Sequence, residues 1–488
     1  MRWVIGLVLA ILVDSVAHAQ GFAPVGGGVA VQGGQQGQVA GGQQGQVAGG
    51  QQGQVAGGQQ GGIGGNAGGI DIDAQGVVSP KFGQQQSLKL TQAKMQALAE
   101  KTLNADVNQT SQLRKVSLVR LEQAIEKKLT DGKPIPVEMQ FLAGLTRIDY
   151  VFLDDEGNDL ILAGPAEGFA PDDVGRVRGT ETGRPPLRLD DLMVALRTLE
   201  RTSSLGCSID PDEQRLARLQ QWVRANSTPA SPAVAAQRYQ VMAQILGLQN
   251  IRVWGIPADS HFGIAIVEAD WRMKLMSLGI ERPPVKGFQS QLAGLGLRGN
   301  SMQRFWITPL YDAFQTNDDK TAYAISGQRA QVMSQEEYVD GAGKRSDAPF
   351  TRVSTQRFAK NFTEKFPEIA ATTPVFAELQ NQLDLVILAA LMKKDRLSQR
   401  IGWRMALFLD EKRAHFARSE PPKHINTVAN FKRAGQSLVG LIGGGVVIDA
   451  MQTVRNAEFS TETADRLNGI RNGVMKATAP ESHPWWWD

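Results

Sequence analysis

A tract rich in glycine and glutamine near the amino terminus limits which part of this chain can fold. The eight-residue unit GGQQGQVA begins at Gly33 and recurs at Gly41 and Gly49, with a degenerate fourth copy at Gly57. Glycine raises the entropy cost of ordering each residue, and the tract has too little apolar surface to offset that cost. Residues 20–85 are therefore predicted to form a disordered Gly/Gln repeat tether. Self-association through glutamine amide ladders is the alternative, which the high glycine content disfavours.

The tether follows a leader that has the three parts of a signal peptide. Arg2 supplies the positive charge, residues 4–13 are apolar, and an Ala-x-Ala motif ends at Ala19. A membrane anchor is the alternative, but Asp14 interrupts a run that would need about 20 apolar residues to span a bilayer. We expect residues 1–19 to be a signal peptide cleaved after Ala19. The protein is then secreted or periplasmic, with no transmembrane helix in the mature chain.

The composition of the chain argues against a function driven by overall charge. Lys and Arg total 52 and Asp and Glu total 49, which gives a formal net charge of +3. Such a chain has no global field to attract nucleic acid, so no nucleic-acid partner is expected. Roughly 400 residues follow the leader and tract, enough for two or three domains or one elaborated domain. The single cysteine, Cys207, lies in an apolar stretch before a helix start, and we expect it to be buried.

Hydrophobic periodicity beyond the tether predicts an α+β body over residues 86–350. Apolar residues recur every three or four positions between Leu88 and Thr130, which indicates two amphipathic helices. The apolar runs 148–153 and 160–163 flank an acidic turn and predict a β-hairpin. Further helices are predicted over residues 192–199 and 231–247.

Local signals predict three more features of this fold. Asp210, followed by Pro211 and Glu213, has the spacing of an N-cap, an N1 proline and an N3 glutamate. Residues 321–325 and 331–333 predict a second hairpin. Residues 437–448 are apolar but too short to span a membrane, so they predict a buried strand or a glycine-packed turn.

The C-terminal part is predicted to be mainly helical over residues 351–475, with a flexible aromatic tail at 476–488. Trp485–Trp487 are expected to be exposed, and exposed aromatic rings stack on sugars or insert at interfaces. The segment 393–418 carries eight Lys or Arg residues against three Asp or Glu. It either contacts an anionic wall polymer or lipid surface, or forms the solvated face of a core helix.

One segment gathers side chains that can perform acid–base chemistry. Residues 251–256 and 262–267 are predicted to be paired strands, with His261 in the turn between them. His261 is the candidate general base or metal ligand, and Glu268 or Asp270 is its candidate partner. Imidazole titrates near neutral pH, and a carboxylate can orient it or balance its charge.

A purely structural role for this segment is the alternative. Asp270 then caps a helix, Arg272 and Lys274 face solvent, and His261 ends a turn. The seven-residue separation of His261 and Glu268 also matches no metal-binding motif, so we expect no metal site.

Three other motifs lack residues that their chemistry requires. The acidic turn 154–159 does not have the spacing of a calcium loop and reads as a plain hairpin turn. Residues 294–299 satisfy G-x-G-x-x-G, but a strand follows where a dinucleotide site needs a helix. Residues 341–346 resemble a P-loop without its first glycine and its Ser or Thr. We therefore expect no cofactor.

The order of four segments resembles a known family. These are residues 150–153, 164–168, 206–211 and 267–274. Together they resemble exported planctomycete proteins known only as a domain of unknown function, over roughly residues 118–391. The resemblance implies bacterial export and no established activity, and no catalytic residue can be carried over from it.

Two functional hypotheses follow from these observations. The first is a non-enzymatic cell-envelope or extracellular protein whose body binds an envelope protein or wall polymer. The second is a hydrolase that uses His261 with Glu268 or Asp270. The second requires His261 to lie in a concave pocket within hydrogen-bond reach of a carboxylate.

Overall fold

Two mixed β-sheets with helices packed against them organise the folded part of the chain. The computed structural model describes residues 69–81, 88–226, 228, 231–294, 302–415, 417–428, 430–431, 438–439, 442–477 and 486–488. The predicted signal peptide, the repeats and the tether up to residue 68 lie outside the described residues. The mixed α and β fold class predicted from the sequence is confirmed.

The strands are short, and most belong to one of the two large sheets. Their bounds are β1 Ile70–Ile72, β2 Val77–Pro80, β3 Ser111–Ser117, β4 Tyr150–Asp154, β5 Asp159–Ala166, β6 Phe169–Pro171, β7 Val177–Gly179, β8 Ser204–Asp210, β9 Leu248–Trp254, β10 Met302–Leu310, β11 Phe314–Thr316, β12 Ala322–Ala324, β13 Arg329–Val339, β14 Arg345–Asp347, β15 His424–Asn426, β16 Asn430–Phe431, β17 Leu438–Val439, β18 Ile442–Asp449 and β19 Phe459–Ser460.

The helices range from single turns to five or six turns. Their bounds are α1 Leu88–Thr102, α2 Ala105–Asn108, α3 Leu118–Thr130, α4 Val137–Gln140, α5 Leu189–Arg201, α6 Glu213–Ala225, α7 Pro232–Leu246, α8 His261–Ser277, α9 Gln291–Gly294, α10 Val353–Thr372, α11 Pro374–Lys394, α12 Leu397–Arg400, α13 Ala450–Asn456 and α14 Ala464–Ala477.

The larger sheet has the strand order β1-β2-β15-β9-β8-β18-β10-β13-β14, and the smaller has the order β19-β11-β12-β4-β5-β3. Helix α8 contacts β8 and β18 and also packs against α5 and α11. Helix α11 is long and apolar enough to span a membrane by length and composition, but its apolar stretch is wholly buried. Such burial is typical of the core helix of a globular protein.

Several local predictions are confirmed. The hairpin is formed by β4 and β5, which pair from Tyr150 with Ala163 to Asp154 with Asp159. Helices α5 and α7 cover the segments predicted from periodicity. The apolar glycine-rich stretch forms β18, in the middle of the larger sheet. Cys207 is buried on β8, as predicted.

The strand predicted over residues 262–267 is wrong, because this segment is the first half of α8. The Ser260 hydroxyl caps the helix by accepting a hydrogen bond from the Gly263 amide at 3.1 Å. Nearly every residue of α8 is buried, so the helix has no polar face and its apolar run resembles a buried strand. The tertiary environment decides between the two structures.

Two other local predictions are also corrected. The second hairpin does not form: β12 pairs with β4 and β11, whereas β13 pairs with β10 and β14 in the other sheet. The helix α6 is capped by Asp212, whose side chain accepts from the Arg215 amide at 3.0 Å. Asp210 instead ends β8 and pairs with Arg345 at 2.6 Å.

The predicted boundaries of the folded body also change at both ends. Residues 70–80, assigned to the tether, form β1 and β2, and β2 pairs with β15 in the larger sheet. In the predicted helical region 351–475, β15 and β18 contribute to that same sheet. Within the predicted flexible tail 476–488, Trp486 and Trp487 are half-buried against the core, because residues 486–488 pair with β3.

Candidate functional site

His261 is the first residue of α8 and is buried at the contact of three helices. Its Nδ1 lies 2.9 Å from Oδ2 of Asp191, in the first turn of α5. Its Nε2 lies 3.8 Å from Oε1 of Glu378 on α11. The amide of Gln382 donates to Oδ2 of Asp191 at 3.2 Å, which fixes the carboxylate that holds the imidazole.

The electrostatics of this cluster favour the charged form of His261. Burial and Arg188 oppose protonation, but Asp191 and Glu378 outweigh them and raise the pKa of His261 to about 9. Burial alone would raise the pKa of Glu378, but Arg176 and His261 overcome it and lower that pKa to about 2. At neutral pH the pair is an imidazolium and a carboxylate. An imidazolium cannot accept a proton, so His261 is not poised as a general base.

Glu268 lies two turns along α8 and pairs with Arg176, which links it to Glu378 beside His261. Both of its oxygens accept from Nη2 of Arg176, at 2.8 and 2.7 Å, and Arg176 also bonds Glu378. Burial raises the pKa of Glu268, against the attraction of Arg176. A Cβ at Gly69 would overlap the Glu268 carboxylate, so the chain just before β1 covers this pair. The carboxylate is sealed from solvent.

Asp270 forms a third pair, with Lys274, on the side of α8 toward the larger sheet. Nζ of Lys274 donates to Asp270 at 2.8 Å, to the Ile209 carbonyl at 3.1 Å and to the Gly444 carbonyl at 3.2 Å. Burial raises the pKa of Asp270 to about 6, against the attraction of Lys274. The structural alternative is therefore also corrected, because Asp270 lies within a helix and Lys274 is buried.

The three candidate residues thus share a helix but not a site. His261 makes its hydrogen bond to Asp191, and within the described part of the chain no hydrogen bond joins it to Glu268 or Asp270. Sequence reasoning missed Asp191, Glu378 and Arg176. Glu378 is the sequence feature that could have indicated this cluster. It is a charged residue inside a long apolar helix, and such a residue is rarely buried without a partner.

Among the described residues, no group of three or more His, Cys, Asp or Glu side chains is arranged so that it could hold a metal ion. The acidic turn that was weighed as a calcium loop uses its carboxylates for other contacts. Asp154 accepts from the Gly157 amide at 2.9 Å, and Asp155 pairs with Arg400 at 3.0 Å. Asp159 points inward and is buried.

A cleft of about 450 Å³ opens where Asp159 lies. We call it the hairpin cleft, and its walls are residues 119–123 of α3, residues 157–159 of the β4–β5 turn, and residues 401–406. Ser117 caps α3 and donates to Oδ1 of Asp159 at 2.8 Å, so one residue joins the helix to the turn. The cleft therefore has a preformed frame.

Asp159 lies at the wall of the hairpin cleft with its carboxylate buried. Its Oδ1 is occupied by Ser117 and by the Leu160 amide at 2.8 Å. Its Oδ2 is buried, makes no hydrogen bond within the described residues, and lies 3.4 Å from Nε of Arg120. Burial raises the pKa of Asp159, against the hydrogen bond from Ser117. A carboxylate and a guanidinium thus form an ion pair at the cleft wall.

Glu122 fixes the opposite wall of the hairpin cleft. Its carboxylate accepts from the Trp403 indole at 2.5 Å and from the amides of Leu407 and Phe408 at 2.7 and 2.9 Å. This anchor holds Arg404, which is exposed and makes no ion pair within the described residues, at the rim.

The basic segment 393–418 contributes this wall and is not one helix. Helix α11 ends at Lys394, α12 is a single turn, and residues 401–414 run mainly in turns. The interpretation as the solvated face of a core helix is therefore wrong beyond Lys394.

Comparison with known proteins gives a match to part of the chain. A family model described as "Protein of unknown function (DUF1598)" matches residues 207–290, which run from β8 through α8 to the loop before α9. No curated protein and no solved structure matches the chain. The matched segment contains His261, Glu268 and Asp270 but not the walls of the hairpin cleft.

Proposed function

We propose that this chain is an exported, non-enzymatic binding protein of the cell envelope or extracellular space, and that the hairpin cleft takes a hydroxyl-rich unit of a wall polymer. The leader with its Ala-x-Ala motif supports export. One observation carries the choice of ligand: the buried Oδ2 of Asp159, which has no hydrogen bond within the described residues, beside the guanidinium of Arg120.

A sugar hydroxyl can donate to a carboxylate and accept from a guanidinium, so it suits a cleft whose wall carries the Asp159–Arg120 ion pair, whereas an anion would meet the Asp159 carboxylate unfavourably. A buried carboxylate oxygen without a hydrogen bond carries a desolvation cost of about 1–3 kcal/mol, which the ion pair with Arg120 offsets in part and a ligand hydroxyl would reduce further. Asn158 and Arg404 supply further polar groups at the opening, and Ile401 and Met405 supply apolar surface. This mixture suits a ring with polar edges and apolar faces.

The hydrolase hypothesis has less support in the geometry. Its histidine is buried and paired as an imidazolium, and its two candidate carboxylates are neutralised by Arg176 and Lys274. His261 lines neither the hairpin cleft nor the small cavity beside Ile209 and Lys274. We therefore propose that these three pairs stabilise the fold that supports the cleft.

Calorimetric titration with a tetramer of N-acetylglucosamine tests the ligand class. We expect binding by the full chain, and a loss of affinity of about tenfold in Asp159→Asn, because an amide nitrogen replaces an acceptor. Arg404→Gln, at the exposed rim, should weaken binding about threefold without affecting folding. Arg201→Gln is the matched control, since Arg201 is an exposed arginine that pairs with Glu411 outside the cleft.

Equal affinities in all four proteins, or no heat of binding in any, would contradict the proposed ligand.

Export is tested separately by mass spectrometry of the protein from an expressing cell. The mature chain should begin at Gln20, and a chain that retains its leader would contradict export without bearing on the cleft.

A further inference from the structure

The larger sheet has an outer face, opposite the face that α10 covers. Side chains alternate between the two faces of a strand, and directly paired residues on neighbouring strands share a face. Phe305 of β10 faces α10, because its ring centroid lies 4.7 Å from that of Phe358. Trp306 therefore projects from the outer face, where its side chain is partly exposed. Among the described residues, Trp306 belongs to no apolar cluster.

The strand register carries the outer face from β10 across to β9. Trp306 is paired with Gly445 of β18, and Gly445 is paired with Ser208 of β8. Ser208 is paired in turn with Arg252 of β9. Arg252 and Trp306 therefore lie level with each other on the outer face. Three strand spacings separate them, about 14 Å between backbones.

The same two residue types recur on both of these strands. Arg252 and Trp254 are two positions apart on β9, and Arg304 and Trp306 are two positions apart on β10. All four side chains thus project from the outer face. The Arg304 guanidinium lies 5.7 Å from the centroid of the Trp306 ring, within range of a cation–π interaction. Each strand therefore presents a cationic group beside an aromatic ring.

Glycines form the surface between these two strands. Gly443 and Gly445 carry no side chain, so β18 leaves a trough between β9 and β10 on the outer face. The indole of Trp254 rests on Gly206 of β8, where a Cβ would lie 2.7 Å from Cζ2 and 3.1 Å from Cη2. One side of this ring contacts the sheet, and the partly exposed ring offers its other side to a ligand. We call the site the arginine–tryptophan trough.

The trough offers a ligand positive charge. Arg252 is exposed and makes no ion pair within the described residues. Arg304 lies 3.5 Å from Glu337, and its Nε makes no hydrogen bond in the described part of the chain. Asp210 lies on the same face of β8, but it pairs with Arg345 at 2.6 Å. An anionic group in the trough would therefore meet Arg252 without displacing another ion pair.

These features select a ligand that has both ring faces and negative charges. A neutral sugar would leave Arg252 without a partner, and a small anion would leave both indoles without a contact. We propose that the trough binds one strand of an acidic glycan, with sugar rings stacked on Trp254 and Trp306 and carboxylates paired with Arg252 and Arg304. The proposal is independent of the hairpin cleft, whose walls share no residue with the trough.

Calorimetric titration with tetragalacturonate, an oligomer of a uronic acid, tests the charge requirement. We expect the full chain to bind it at least about tenfold more tightly than its methyl ester, because the ester keeps the rings but lacks the carboxylates. Arg252→Gln should weaken binding of the acid about fivefold and leave the weak binding of the ester unchanged. Arg357→Gln is the matched control, because Arg357 is also exposed but lies on α10, on the other side of the sheet.

The variant Trp306→Ala tests the aromatic requirement. Binding of the acid and of the ester should both fall about tenfold, because stacking does not depend on the carboxylates. Trp306→Phe should restore most of the affinity, and thermal melting verifies that each variant is folded. Asp159→Asn should bind tetragalacturonate as tightly as the unaltered chain, so this result separates the trough from the hairpin cleft.

Three results would overturn the proposal: no binding of tetragalacturonate, equal affinity for the acid and its ester, or equal effects of Arg252→Gln and Arg357→Gln. An octamer of thymidylate also combines rings with anions. The chain has a net charge of only +3, so we expect this octamer to bind more weakly than tetragalacturonate. Tighter binding of the octamer would assign the trough to nucleic acid instead.

Discussion

At the scale of single residues, the buried charges around α8 act as connectors between elements. His261 joins α5 and α11 through Asp191 and Glu378, and Arg176 joins Glu378 to Glu268. Each of these charges has an opposite neighbour at short range. Removing one partner leaves an uncompensated buried charge, which costs about 3–5 kcal/mol. We therefore expect substitutions here to reduce stability before they affect any binding activity.

The protonation of His261 predicts how stability depends on pH. Its pKa is raised from 6.5 to about 9 in the folded protein. A group with a raised pKa contributes its full stability below the unfolded value and loses it as pH rises through the folded value. The free energy of unfolding should therefore fall between roughly pH 6.5 and 9, by up to about 3 kcal/mol. Urea unfolding at several pH values measures this decrease.

The variant His261→Gln should lose this pH dependence, although it is less stable at every pH. His415→Gln is the matched control, because His415 is exposed and its removal should leave the pH profile unchanged. A proton NMR titration of the full chain follows the His261 imidazole directly. A midpoint near 6.5 for that resonance would contradict the prediction.

At the scale of elements, β18 shows why a strand inside a sheet can require glycine. It pairs with β8 on one side and β10 on the other. Gly444 has a φ of +122°, and a Cβ at this position would overlap the Phe305 carbonyl. Its carbonyl also accepts from Lys274 of α8 at 3.2 Å. Glycine is required where the backbone has a positive φ and a close neighbour.

Replacing glycine by alanine should change the free energy of unfolding in opposite directions at Gly444, which lies in a sheet, and at Gly469, which lies on a helix surface. Gly444→Ala should lower the free energy of unfolding by about 2 kcal/mol or more, because of backbone strain and overlap. Gly469→Ala is the matched control on α14, where a Cβ meets nothing within 4 Å. It should raise the free energy of unfolding by about 0.5–1 kcal/mol, since alanine favours the helix. Denaturant unfolding of both variants measures this contrast, and equal effects would contradict it.

At the scale of the whole molecule, the folded unit begins earlier than the sequence pattern indicated. The described residues from Gly69 onward belong to one compact unit. Within it, Ile70 and Val78 are buried, and β2 joins the larger sheet through β15. The stretch 69–80 is thus part of the body, and it also covers the Arg176–Glu268 pair.

Two shortened proteins test this boundary. A protein that starts at Gln60 should have the melting temperature of the full chain, because it retains every described core residue. A protein that starts at Lys81 should melt several degrees lower. It loses two buried side chains, each worth about 1.5–3 kcal/mol, and exposes a buried ion pair. Differential scanning calorimetry measures both, and equal melting temperatures for the two would contradict the boundary.

Local patterns predicted the elements whose own sequence carries a clear signal. Helix α5 alternates apolar and polar residues at helical spacing, and an acidic turn separates the two apolar runs of the β4–β5 hairpin, so both were found as predicted although both are largely buried. Patterns failed at α8, where burial on all sides removes the polar face that distinguishes a helix from a strand. They failed again at β12 and β13, because strand pairing between distant segments leaves no local signal.

The candidate site was likewise predicted only in part, because its residues were recognised but their partners were not. His261, Glu268 and Asp270 were recognised as titratable residues, but the partners of His261 and Glu268 come from distant segments, whereas Lys274 lies one helical turn from Asp270. Asp191 lies 70 positions from His261, and Arg176 lies 92 positions from Glu268. The hairpin cleft joins α3, the β4–β5 turn and residues 401–406, which no spacing rule connects.

The sequence by itself determined the mixed α and β class, the burial of Cys207 and the main periodic helices, because these depend on composition and on neighbours along the chain. Only the tertiary structure decided which charges pair, where the hairpin cleft opens and what residues 486–488 contact. These depend on distances between segments far apart in the chain, and those distances are fixed only when the helices and sheets have packed.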